Sequence, residues 1–103
     1  MTLRELLDEA ATADPEIERL PAEGGDVVEW RVGGRTFAVV EAGRASFRLS
    51  PPIRRAALNT PDTAPSSRGP EWLDFVPPEL DRMAVDRAAA WFGSAARHAA
   101  EPR

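Results

Sequence analysis

A chain of 103 residues with 43% hydrophobic content and seven aromatics is sized for one globular domain spanning residues 1–103, able to bury roughly 60–65% of its unfolded surface. Cysteine is absent and all thirteen basic residues are arginine, which excludes disulfides, thiolate metal sites and any catalytic lysine amine. The net charge of −4 is unevenly laid out: −7 over residues 1–29, +5 over residues 30–70 and −2 over residues 71–103. An acidic total argues against strong non-specific DNA binding, which rests on neutralising phosphates. The positive central third leaves room for a local anion site.

Thr2 followed by Glu5 has the spacing of a capping box, and Leu3, Leu6, Leu7 and Ala10 repeat at helical period. These residues predict a helix from Leu3 to Ala13, stopped at Asp14-Pro15 because the residue before proline is pushed out of the α region. Charges among its leucines make the opening run neither a leader nor a membrane span, and the protein is expected in the cytoplasm. Glu16 to Leu20 reads as a short edge strand, and Pro21 with Gly24-Gly25 as a turn.

Val27 to Val32 and Arg35 to Glu41 are β-rich runs joined by Gly33-Gly34, a two-residue hairpin signal. This turn pairs Val32 with Arg35, Trp30 with Phe37 and Val28 with Val39, so that Val28, Trp30, Val32, Phe37 and Val39 share a core face. For the next strand, Ala45 to Leu49, a two-residue turn at Ala42-Gly43 would set Phe47 opposite Ala38, off that face. A three-residue loop including Arg44 sets Phe47 opposite Val39 and Leu49 opposite Phe37. The longer loop is therefore expected, since a slip of one residue sends every side chain to the other side. The opposite face presents Glu29, Arg31, Thr36, Ala38, Ser46 and Arg48.

Ser50 is placed to cap a short helix opening on Pro51 and Pro52, with Ile53, Ala57 and Leu58 inward and Arg54 and Arg55 outward. Residues 59–70 read as one long loop. Glu71 to Val76 alternates as a strand, with Trp72 on one side, open to Asp74 as well, and Leu73 and Phe75 on the other. A long helix follows Pro77-Pro78, striped by Leu80, Ala84, Ala88, Trp91 or Phe92, Ala95 and Ala99. Its start has room to slip to Val85. Gly93 inside it suggests close backbone packing, because glycine costs about 1 kcal/mol there relative to alanine. Trp30, Trp72 and Trp91 all read as core.

The run Val32-Gly-Gly-Arg-Thr-Phe-Ala38, the run Phe47-Arg-Leu-Ser-Pro-Pro52 with the arginine-alanine-leucine segment behind it, and Gly69-Pro-Glu-Trp-Leu73 resemble the MmcQ/YjbR-like family. The resemblance covers most of residues 27–99. It implies a frataxin-like (CyaY-like) α+β fold: a two-layer sandwich whose antiparallel sheet of four or five strands is covered on one face by the N- and C-terminal helices, with a short helix inserted. Members of the family are often labelled DNA-binding. Arg48 stands where the family usually has lysine, the loop before Trp72 lacks the basic and aromatic residues of longer members, and the ending Trp91-Phe-Gly-Ser-Ala-Ala-Arg97 departs from the usual serine-tyrosine one.

The candidate anion or nucleic-acid site is Arg31, Arg48, Arg54, Arg55 and Arg68, planar forks suited to phosphate, with Ser66, Ser67 and the Gly69 amide as further donors. The competing reading is a solvated face, or arginines paired with the acidic N-terminal third. No aromatic is expected on the polar face, which leaves base stacking without support. Glu5, Asp8 and Glu9 share a helix face near Glu16 and Glu18 and form a weaker candidate ridge for a hard cation; the preferred reading is that acids favour a helix's first turn and keep its outer face solvated. His98 reads as a helix C-terminal surface residue. No nucleophile elbow, phosphate loop or zinc spacing is present. The expectation is a non-enzymatic binding domain without metal or cofactor, monomeric or weakly dimeric, for nucleic acid or another anion, or alternatively a protein-interaction or structural domain.

Overall fold

The computed structural model describes residues 1–21 and 25–102; Gly24 of the expected turn lies outside them. These residues form a six-stranded antiparallel sheet and three helices. In chain order the elements are α1 (Leu3–Ala11), β1 (Glu18–Pro21), β2 (Val27–Val32), β3 (Arg35–Glu41), β4 (Arg44–Arg48), α2 (Pro51–Ala57), β5 (Thr63–Pro65), β6 (Trp72–Phe75) and α3 (Arg82–Ala100). The strands lie in the order β1-β2-β3-β4-β6-β5. The α+β class and the terminal helices agree with expectation. The sheet has more than the four or five strands expected, because β5 forms inside the segment read as a loop. It pairs only with β6, and at such an edge Pro65 can lack an N–H without breaking a ladder.

The capping box is present in full: Thr2 Oγ1 accepts from Glu5 N and Glu5 Oε1 accepts from Thr2 N. Leu3, Leu6 and Leu7 of α1 are buried. Asp81 caps α3, accepting from Ala84 N at 2.8 Å, so the helix begins between the two expected starts and Leu80 packs against the core from outside it. At the other end the Arg35 guanidinium donates to the carbonyls of Ala99 and Glu101, satisfying orphan acceptors where the helix dipole is negative. Trp91 and Phe92 are both buried and divide the sheet between them. Phe92 meets Trp30 and Phe37 edge-on at 5.6 and 5.1 Å, and Trp91 meets Phe75 and Phe47 at 5.2 and 6.3 Å. A Cβ on Gly93 would meet only the Arg97 guanidinium, at 3.4 Å. Close backbone packing is therefore not what keeps glycine there.

The register differs from the expected one in an instructive way. Val32 pairs with Arg35 and Arg31 with Thr36, but then Trp30 pairs with Ala38 and Val28 with Val40. Phe37 is the extra residue of a β-bulge, and the parity of β3 reverses beyond it. Val39 moves to the far face, opposite Glu29 and Ser46, while Ala38 and Val40 join the core. The second turn is the two-residue one, Ala42-Gly43, with φ of 48° and 78°, and Glu41 pairs with Arg44. Phe47 does sit opposite Ala38, yet it is fully buried in the core because the bulge has already turned Ala38 inward. The frame shift that the apolar pattern demands is inside the strand rather than in the loop.

In α2, Ser50 is extended but makes no side-chain cap bond. Ala57 is buried, whereas Ile53, expected inward, is 41% exposed. Arg54, expected outward, donates from Nε to the Trp72 carbonyl at 3.0 Å. With Arg54 and Ala57 on the side facing the sheet, Ile53 is left at the rim of a groove against α3.

Candidate functional site

The helices cover one face of the sheet; the candidate site lies on the other. Side chains directly opposite each other on neighbouring strands share a face, so the pairing follows a row across it: Leu20, Glu29, Val39, Ser46, Asp74 and Ala64. On one side of this row lie Arg31 and Thr36 and, farther along the sheet, Arg48 and Trp72; on the other lie Glu41 and Arg44. Trp72 is thus not a core residue. The alternation of β6 is as expected, but Leu73 and Phe75 take the core positions with no exposure. Trp72 stays half-buried on the open face, because two apolar residues on one side of the strand outweigh a single indole on the other.

Of the five expected arginines, Arg31, Arg48 and Arg68 are on this face. Arg31 Nε donates to Thr36 Oγ1, which in turn donates to Glu29 Oε1, each at 3.2 Å. Arg48 donates from Nε and lies within 2.9 Å of Glu71 Oε2 through Nη2. That hydrogen bond holds the Glu71 carboxyl below the usual carboxylate range; burial opposes the shift, and the charges of Arg48 and His98 assist it. Arg68 arches over the face from the loop after β5. Its guanidinium is 5.9 Å from the centre of the Trp72 ring, within cation–π range, and 3.8 Å from Glu41 Oε2.

The other two arginines are elsewhere. Arg54 is spent on the backbone of β6, and Arg55 is on the exposed side of α2. Arg44 is a site residue that the sequence did not bring forward; assigning it to a loop concealed its place opposite Glu41. The open face and the serine-bearing loop converge. Ser66, Ser67, Arg68 and Arg44 enclose a cavity of about 280 Å³ over Ser46 and Asp74, with Glu41 at its wall. The Gly69 amide faces inward to the Ser66 carbonyl instead.

Arg48 and Arg68 pair with Glu71 and Glu41, while Arg31 reaches Glu29, at the end of the acidic N-terminal third, through Thr36. Two acids of α1 are engaged separately: Glu5 closes the capping box, and Asp8 holds Arg19 at 2.6 Å. Among the described residues no three acids or histidines come together as metal ligands. His98 is at the end of α3 as expected, but its side chain is only 19% exposed. Its ring nitrogens each lie 3.7 Å from a carboxylate, of Glu71 and of Glu101. Among the described residues no helix is long and apolar enough to cross a membrane. No protein-family model and no curated protein matches the chain.

Proposed function

We propose that the open face binds single-stranded nucleic acid, with Trp72 as a stacking platform and Arg48, Arg68, Arg44 and Arg31 as phosphate contacts. The observation that carries this reading is the position of Trp72: an indole on the polar face, paired across the ladder with Arg48 and arched over by Arg68. Indole faces stack on any base, and flanking guanidiniums supply the charge-dependent part of single-strand affinity. The resemblance read in most of residues 27–99 implies nucleic-acid binding only in a general form, since members of the MmcQ/YjbR-like family are labelled DNA-binding. The acids interleaved on the face, Glu29, Glu41 and Asp74, oppose a purely electrostatic grip and favour a partner held by stacking as well.

Trp30 and Trp91 are buried, so Trp72 is the tryptophan that a bound base would quench. Titration with short DNA and RNA strands should quench fluorescence, weaken as salt rises, and lose the signal in Trp72→Phe. Absence of binding at roughly tens of micromolar, or affinity indifferent to salt, would remove the proposal. A protein partner on the same two-signed face is the competing function; co-purification of a stoichiometric protein that survives nuclease treatment would favour it.

A further inference from the structure

The cavity beside Trp72 is charge-balanced, unlike a simple phosphate grip. Its floor is Ser46, only 3% exposed, whose hydroxyl donates to Asp74 Oδ1 at 2.7 Å. That hydroxyl has no second proton to give, so Ser46 and Asp74 together present acceptors upward. Arg44 and Arg68 stand at the lip.

Arg68 shows what suits this place. Its guanidinium, a flat group edged with N–H donors, rests over the Trp72 ring and faces the Glu41 carboxylate. Neither contact is tight. The 3.8 Å ion pair is well beyond the roughly 2.7–2.9 Å of a charge-assisted hydrogen bond, and the Arg68 side chain is 37% exposed. The fork is an exchangeable occupant. Among nucleobases, guanine has the same chemistry. Its Watson–Crick edge offers N1–H and the N2 amino group side by side, on a ring fragment that is itself a cyclic guanidine. A carboxylate can accept both donors as it accepts an arginine fork. Adenine and cytosine place an acceptor nitrogen beside their amino group, and uracil flanks its one N–H with carbonyls that a carboxylate repels.

Building on the nucleic-acid reading above, we infer that Trp72 and Asp74 form a guanine-reading subsite. The base replaces the Arg68 fork on Trp72 and donates N1–H and N2–H to the Asp74 carboxylate, and Arg68 and Arg44 turn to the phosphates beside it. Trp72 and Asp74 are two residues apart on one strand, about 7 Å along its axis. A base stacked on the first can therefore bring its edge to the second.

The test compares short single strands that differ at one central base, guanine, inosine, adenine or uracil, together with guanosine monophosphate, followed through Trp72 fluorescence. Inosine keeps N1–H and removes only the N2 amino group. Guanine should bind at least about tenfold more tightly than inosine or uracil, as a bidentate contact to a base edge implies. In Asp74→Asn, checked for an unchanged unfolding curve, that preference should collapse while the salt-dependent affinity remains. Equal affinity for guanine and inosine strands would overturn the subsite and leave the Trp72 face standing as a single-strand platform. If no strand binds but guanosine monophosphate does, the subsite holds and the strand-binding reading fails. If neither binds, both fail.

Discussion

On the helix-covered face of the sheet, Trp30, Phe37, Phe47, Leu73 and Phe75 have no exposure, and the four aromatic ones are held by contact with Trp91 and Phe92. Among the described residues the open face has one buried apolar side chain of comparable depth, Val39, and is otherwise ordered by hydrogen bonds and ion pairs: Thr36 between Arg31 and Glu29, Ser46 on Asp74, Arg48 on Glu71. The first arrangement draws on the hydrophobic effect, which needs no particular angle and scales with area. The second draws on directed contacts that each contribute little at a solvated surface. Stability should therefore concentrate on one face, and exchangeable groups that a ligand could displace on the other.

Substitutions on the two faces and in α2 test that division. Phe92→Ala removes the ring that seals both Trp30 and Phe37, and should cost about 3–5 kcal/mol in urea unfolding. Trp72→Phe on the open face should cost less than about 1.5 kcal/mol, because it trims a half-buried ring and leaves no sealed cavity. Equal costs for the two would break the comparison.

Arg54→Ala should fall between them. It deletes a charged donor to the Trp72 carbonyl that ties α2 to β6, worth about 1.5–3 kcal/mol, whereas Arg55→Ala on the exposed side should stay within about 0.5 kcal/mol. Similar values for both arginines would mean that α2 is not anchored through Arg54.

Glu71→Gln should have a small effect that depends on pH. Because Arg48 holds the Glu71 carboxyl below its unfolded value, the pair's stabilisation is complete above the usual carboxylate range and fades as pH falls through the lowered value. The gap in Tm between wild type and Glu71→Gln should be widest near neutrality and close in strong acid. A gap that stays constant across that range would show that the Arg48 contact has no energetic weight.

Much of this architecture was legible because its signals are local. The Thr2–Glu5 capping box, the glycine turn at Gly33-Gly34 and the stripe of α3 each depend on residues a few positions apart. Three features were not. The bulge at Phe37 conflicts with the simplest reading of the alternation, and it exists because Phe37 and Ala38 both find room beneath α3. Strand β5 is three residues long and forms because β6 offers it an edge. Arg54 turned inward because a carbonyl some eighteen positions later lay within reach of its fork.

Trp72 shows best where the boundary falls. Its strand and its alternation with Leu73 and Phe75 were fixed by residue spacing, since period-two patterning depends only on the pleat. Which side of that strand faces the helices was decided by the packing of Leu73 and Phe75 against the core, and a bulky indole was left at the surface as a result. The sequence by itself determined the helices, the meander and the positive segment 30–70. Only the tertiary structure decided which of its arginines meet an aromatic on one open face, because that depends on strands and a loop brought together from distant parts of the chain.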